Sequence, residues 1–185
     1  MDDTQIVELY WARKESAIEE TEAKYGSYCY SIAQNILQNQ DDAEESVNDT
    51  WLNAWNSMPP HRPSVLSTFL GKLTRRISID KWRRTTAKKR GDGQMPLVLA
   101  ELEDCISDEK SIEEETERKL LAEVIAAFVK SLPETEQKVF LCRYWYMDSV
   151  STIATRFRFS ESKVKSMLSR TREKLRTRLE KEGLV

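Results

Sequence analysis

The sequence predicts an all-α protein: two small helical domains joined by an acidic linker, the second containing a helix-turn-helix. Three observations lead there. Apolar residues recur at steps of three and four, not two, along most of the chain. Only five Gly and five Pro occur in 185 residues, too few turn formers for a loop-rich β fold. Charge is laid out in alternating blocks, although the formal net charge is only −2. Residues 1–50 carry twelve acids and three bases, and residues 67–91 nine bases and one acid. Residues 92–117 carry ten acids and one base, and residues 156–181 ten bases and three acids. Two basic blocks separated by acidic ones imply two surfaces that contact polyanions, with acidic faces turned elsewhere.

The first domain is expected over residues 1–90. Its pattern is helical from about Thr4 to Met58. "DDAEESVNDTWLNAWNSM" puts Ala43, Val47, Trp51, Ala54 and Met58 on one side of a helix, with Leu52 and Trp55 widening the stripe. Asp41 or Asp42 is the expected N-cap, and Glu44 and Glu45 fall in the first turn, where the helix dipole favours them. Pro59, Pro60 and Pro63 end that helix. Ser64 or Ser67 opens the next, whose apolar side is Phe69, Leu70, Leu73, Ile77 and Trp82. "GDG" at 91–93 breaks the chain, and residues 91–112 are acidic and weakly periodic, as in a linker.

The second domain is expected over residues 113–185. A helix runs from near Glu113 through Ala122, Ile125, Ala126 and Val129, and Pro133 is placed as the first residue of another. "VSTIATRFRFSESKVKSML" then fits a helix-turn-helix, which needs a small residue where two helices cross, apolar neighbours and a short turn. Ala154 is the small contact, and Ile153, Phe157, Phe159, Val164 and Met167 are the apolar positions. Ser160 is the N-cap of a helix beginning at Glu161. That helix exposes Ser162, Lys163, Lys165, Ser166, Ser169, Arg170 and Arg172, side chains that reach phosphates and base edges. Arg158 occupies a turn position where φ > 0 usually calls for Gly.

Several function classes are disfavoured. No apolar run approaches the roughly 18 residues that span a bilayer, so no direct membrane insertion is expected. The acidic start, Met1-Asp2-Asp3, lacks the order of a signal peptide, and a cytoplasmic location is expected. Cys29, Cys105 and Cys142 are odd in number and far apart, which suits reduced thiols and not a disulfide framework or a metal clamp. His61, the only histidine, sits in the Pro-rich loop with no second ligand nearby. The carboxylates Asp41, Asp42, Glu44, Glu45 and Asp49 suggest helix capping ahead of a metal-dependent nuclease, because neighbours on a helix point different ways. No catalytic residue, metal, cofactor or small-molecule substrate is expected.

Taken in order, these segments resemble the bacterial RNA polymerase sigma factors of the two-domain extracytoplasmic-function group, from about Ser16 to Glu182. "DAEESVNDTWLNAW" is similar to the family's pattern DAED-L-VQ-E-x-F-L-x-x-W, with Asn48 and Asp49 at its Gln-Glu pair and Ser46 where Leu is usual. The resemblance implies that Asn48 and Asp49 contact core RNA polymerase at the clamp helices of its largest subunit. "STFLGKLTRRISIDKWRR" is similar to the family helix ending A-I-D-x-x-R-R. It implies that Arg75, Arg76, Asp80, Arg83 and Arg84 serve the minus-ten region, with the preceding loop, about Met58 to Ser67, holding a flipped base. The stretch from Leu132 resembles the second sigma domain, which implies upstream-element contacts by Ser162, Lys163, Lys165, Ser166, Ser169 and Arg170. Gln137, Met147, Thr152 and Arg158 depart from the family's Arg, Gly, Glu and Gly. Implied partners are core RNA polymerase, including its flap, and promoter DNA, with room for an anti-sigma factor. The alternatives are a helix-turn-helix regulator acting without polymerase and an interaction module that does not touch DNA.

Overall fold

The computed structural model describes residues 1–86, 94–103 and 115–184. Among the described residues every regular element is an α-helix, and the chain separates into two compact units, Met1–Gly93 and Gln94–Val185.

The first unit contains α1 (Asp3–Trp11), α2 (Ser16–Leu37), α3 (Gln40–Ser57) and α4 (Leu66–Thr86). Asp2 opens α1 through a reciprocal cap with Gln5. α2 ends at Gln38, which takes the left-handed conformation (φ 53°), and Asn39 immediately caps α3 by accepting from the Asp42 amide at 2.9 Å. The cap is thus Asn39, not Asp41 or Asp42, because the tight α2–α3 connection places the extended residue two positions earlier. The expected stripe of α3 is buried throughout: Ala43, Val47, Trp51, Ala54 and Met58. Leu52 is not part of it; the side chain is 56% exposed.

α4 starts at Leu66, not at a serine cap. Its buried side is Leu66, Leu70, Leu73, Thr74 and Ser78, whereas Phe69, Ile77 and Trp82 are only half-buried. Small polar side chains replace aliphatic ones where α4 meets α3: the Thr50 hydroxyl donates to the Ser46 carbonyl at 2.7 Å, and lies 3.1 Å from the Thr74 hydroxyl. A methyl group at Gly71 would run into the Tyr28 hydroxyl on α2, so this glycine permits a close helix approach.

The second unit contains α5 (Gln94–Glu103), α6 (Glu115–Ser131), α7 (Glu134–Tyr144), α8 (Val150–Phe157) and α9 (Glu161–Lys181). The only described part of the expected linker, residues 94–103, is therefore a helix grouped with the second unit. Residues 87–93 and 104–114 lie outside the described ones. α6 turns Val124 and Phe128 inward, while Ala122 and Ala126 are exposed. Pro133 stands just before α7 instead of opening it. α8 and α9 form the expected helix-turn-helix around buried Ile153, Ala154, Val164, Met167 and Leu168. Ser149 caps α8 and Ser160 caps α9. Between them Arg158 adopts φ 54°, and Phe159 donates to the Ala154 carbonyl at 2.9 Å. Met147, the other residue standing where the family has Gly, adopts φ 58° and is 1% exposed.

Candidate nucleic-acid interface

The Ser160 hydroxyl accepts the Lys163 amide at 3.2 Å and so sets the phase of α9. The 3.6-residue period then divides its first half cleanly. Val164, Met167, Leu168 and Thr171 are buried, while Ser162, Lys163, Lys165, Ser166, Ser169 and Arg170 are all exposed. The Lys163 ammonium lies 3.6 Å from the ring centroid of Phe159, which stacks on Phe157 at 6.0 Å. Arg172, expected on the same face, is turned inward and donates to the Tyr144 hydroxyl at 2.9 Å. Beyond it, cations are engaged within the unit: Lys174 with Glu136, Arg176 with Glu180 and Arg178 with Glu182, at 2.9–3.1 Å. In the first ten residues Lys165 has only a longer i,i+4 partner, Glu161 at 3.8 Å, so Lys163, Lys165 and Arg170 present most of the outward positive charge there.

α4 presents a second basic stripe. Lys72, Arg76, Asp80, Arg83 and Arg84 are exposed and follow one another at steps of three or four, with Arg84 beside Arg83. Arg75 does not share this stripe fully; it is half-buried, and burial lowers its pKa from the ordinary guanidinium value. Lys81 points to α3, where it pairs with Asp42 at 3.0 Å and with Glu45. Burial works against its charge, but the two carboxylates outweigh that and hold its pKa above the ordinary lysine value. Lys88, Lys89 and Arg90 of the basic block lie outside the described residues.

On α3, Asn48 is exposed and Asp49 half-buried, with Leu52 one turn further along the same side. Ser46 is fully buried and donates to the Asp42 carbonyl at 2.8 Å, so the small residue fits the seam with α4. The loop between α3 and α4 has cis peptide bonds at Met58–Pro59 and Pro59–Pro60. It forms a pocket of about 260 Å³ with α1, lined by Asp3, Thr4, Val7, Arg62, Pro63, Ser64 and Leu66. Arg62 pairs with Glu8 and sits 5.3 Å above the Trp11 ring, while exposed His61 lies against Phe69 at 5.0 Å. Among the described residues no group of three or more His, Cys, Asp and Glu side chains could hold a metal ion, and no helix is long and apolar enough to cross a membrane.

The family model described as ECF sigma factor matches residues 61–181, and the Sigma-70 region 2 model matches residues 23–88. The first match alone spans well over half of the chain. The chain belongs to the ECF sigma factor family. A search of curated proteins found no match. Sigma factors act in transcription initiation and are not an enzyme family; core RNA polymerase and promoter DNA are the partners the family implies.

The region 2 match runs past the end of α4, so it takes in both the α3 face and the α4 stripe of this sigma factor. The ECF match runs from the pocket-forming loop through the end of α9. Lys72 and Arg62 are missed by sequence reasoning. For Lys72 a signal existed, since it lies one turn before Arg76 in the same basic block. Arg62 shows its place only once the loop folds against α1. Glu101 is the third omission. This carboxylate, hidden in the acidic stretch, pairs with Arg143 on α7 and Arg172 on α9, at 2.6 and 3.5 Å.

Proposed function

We propose that this sigma factor docks on core RNA polymerase through the α3 face bearing Asn48, Asp49 and Leu52, and opens promoter DNA with α4 and the loop before it. Arg76, Asp80, Arg83 and Arg84 meet the separating strand, with Lys72 extending the stripe and Arg75 at its margin. The pocket between that loop and α1 takes an extruded base, with the Arg62 guanidinium, the Asp3 carboxylate and the hydroxyls of Thr4 and Ser64 as its polar groups. The second unit anchors upstream duplex through Ser162, Lys163, Lys165, Ser166, Ser169 and Arg170. The observation that carries the reading is the first half of α9, where every candidate contact is exposed and every intervening apolar residue is buried.

Transcription with purified core polymerase on a library of genomic fragments tests it. Discrete start sites that appear only when the chain is added support the reading; their absence from every fragment overturns it. Asn48→Ala with Asp49→Ala should weaken assembly with core polymerase and leave thermal unfolding of the chain unchanged. A gel shift with and without core polymerase separates this function from that of a stand-alone regulator, which would bind duplex DNA tightly by itself.

A further inference from the structure

Arg143 is the largest fully buried side chain of the described residues, 2% exposed, and a guanidinium in that position requires an anionic partner. Its Nε donates to the two Glu101 carboxylate oxygens at 3.2 and 3.1 Å, its Nη2 donates to Oε1 at 2.6 Å, and its Nη1 donates to the Asp148 carbonyl at 3.0 Å. The Tyr144 hydroxyl donates to the same carboxylate at 3.0 Å and accepts from Arg172. Two guanidiniums and a phenol on α7 and α9 thus form a seat for one carboxylate.

What fills the seat is weakly held by its own structure. α5 has ten residues, fewer than an isolated helix needs to persist in water, so docking has to stabilise it. Of its side chains, Val98 is fully buried and Glu101 enters the seat, whereas Leu99 and Ala100 are exposed. Among the described side chains of α5, those turned inward are Val98 and, three residues later, Glu101, with Leu102 half-buried beside it. Any helix carrying that pair can make the same contacts.

We propose that the Arg143–Tyr144–Arg172 seat is a docking site for an acidic amphipathic helix of a partner protein, and that α5 is its built-in placeholder. The excess positive charge of residues 156–181 favours an acidic visitor. A tethered occupant competes at an effective concentration on the order of millimolar, so a partner displaces α5 only when its own affinity or local concentration exceeds that level. The carboxylate of the visitor then replaces that of Glu101 and compensates Arg143 in its place.

Amide hydrogen exchange on the unmodified full chain tests this. The probes are a synthetic peptide of residues 94–103 and the same peptide carrying Glu101→Gln, each at about 2 mM, near the effective concentration of the tether. Amides of α5 should exchange about tenfold or more faster than core amides of α7 and α9, showing that α5 opens without global unfolding. The native peptide should raise α5 exchange about twofold or more by holding the seat, and the Gln peptide should leave it unchanged. Exchange of α5 in step with α7 and α9 would make it an integral part of the unit and overturn the proposal. Equal effects of the two peptides, or no effect of either on a readily opening α5, would overturn it as well.

Discussion

α4 and α9 are both basic helices of 21 residues, yet they solve the same packing problem with opposite chemistry. α9 buries Val164, Leu168, Leu175 and Leu179, an aliphatic seam with one hydroxyl, Thr171. α4 buries Leu70 and Leu73 but continues the seam with Thr74 and Ser78, so that it can lie close against Ser46 and Thr50 of α3, while Gly71 admits Tyr28 of α2. Their charges are also deployed at opposite ends. α4 shows Arg76, Arg83 and Arg84 outward along its second half and engages Lys81 with Asp42 and Glu45. α9 shows Lys163, Lys165 and Arg170 outward along its first half and pairs Arg172, Lys174, Arg176 and Arg178 with carboxylates. A basic block in a sequence is therefore not one surface. In each helix part of the charge holds the protein together, and the remainder is exposed.

The largest way to test the contrast is in the two seams. Leu175→Ala removes a 2%-exposed side chain from α9 and should cost about 2–5 kcal/mol, read by denaturant unfolding. Thr74→Val is nearly isosteric and leaves Thr50 bonded to the Ser46 carbonyl, so it should cost only about 1 kcal/mol. Comparable losses for the two would erase the distinction between an aliphatic and a hydroxyl seam.

Next in size is Glu101→Gln, expected to cost about 1.5–3 kcal/mol at neutral pH because it removes charged hydrogen bonds. Burial works to raise the Glu101 pKa, but Arg143, Tyr144 and Arg172 outweigh it and hold the carboxyl below its usual value. The folded pKa is depressed, so this stabilisation is fully present above the ordinary carboxylate pKa of about 4.3 and is lost as pH falls through the lower, folded value. The gap between wild type and Glu101→Gln should accordingly be flat from about pH 6 to 8, a window set by that sign, and narrow on acidification. A gap that widens in acid would contradict the pairing.

The two left-handed residues sharpen the comparison further, because their side chains differ where their backbones agree. Arg158→Gly relieves an exposed residue at φ 54° and should stabilise by about 0.5–1 kcal/mol. Met147→Gly relieves φ 58° equally but empties a buried site, so thermal unfolding should report a net loss of about 2 kcal/mol or more. Stabilisation by both would show that Met147 contributes no packing.

The smallest effects belong to single exposed cations. Lys163→Ala or Arg170→Ala should lower the salt slope of duplex binding by the promoter complex by about 0.9 for each phosphate that is no longer neutralised. Arg83→Ala should instead lower the slope of strand opening by about 0.7, the single-strand value. Lys174→Ala, whose ammonium is paired with Glu136, should change neither.

The sequence by itself determined what depends on near neighbours. The stripe of α3 from Ala43 to Met58, the Ser160 cap and the small residue Ala154 at the helix crossing are set by residues within a few positions of one another. Helical periodicity and capping encode them directly. The candidate faces of α3 and of the first half of α9 were legible for the same reason, since exposure there follows from the phase of a helix. Only the tertiary structure decided which polar residues are buried and which charges are paired. Periodicity ranked Ile77 and Trp82 above Thr74 and Ser78, but close approach to α3 favours the small side chains. Leu52 fits the apolar count of α3, yet no neighbouring helix reaches it deeply enough to remove it from water. Glu101 looks like any carboxylate of an acidic tether until α7 brings Arg143, 42 residues away in sequence, within 2.6 Å. An ion pair is a property of two places in the chain, and only folding brings them together.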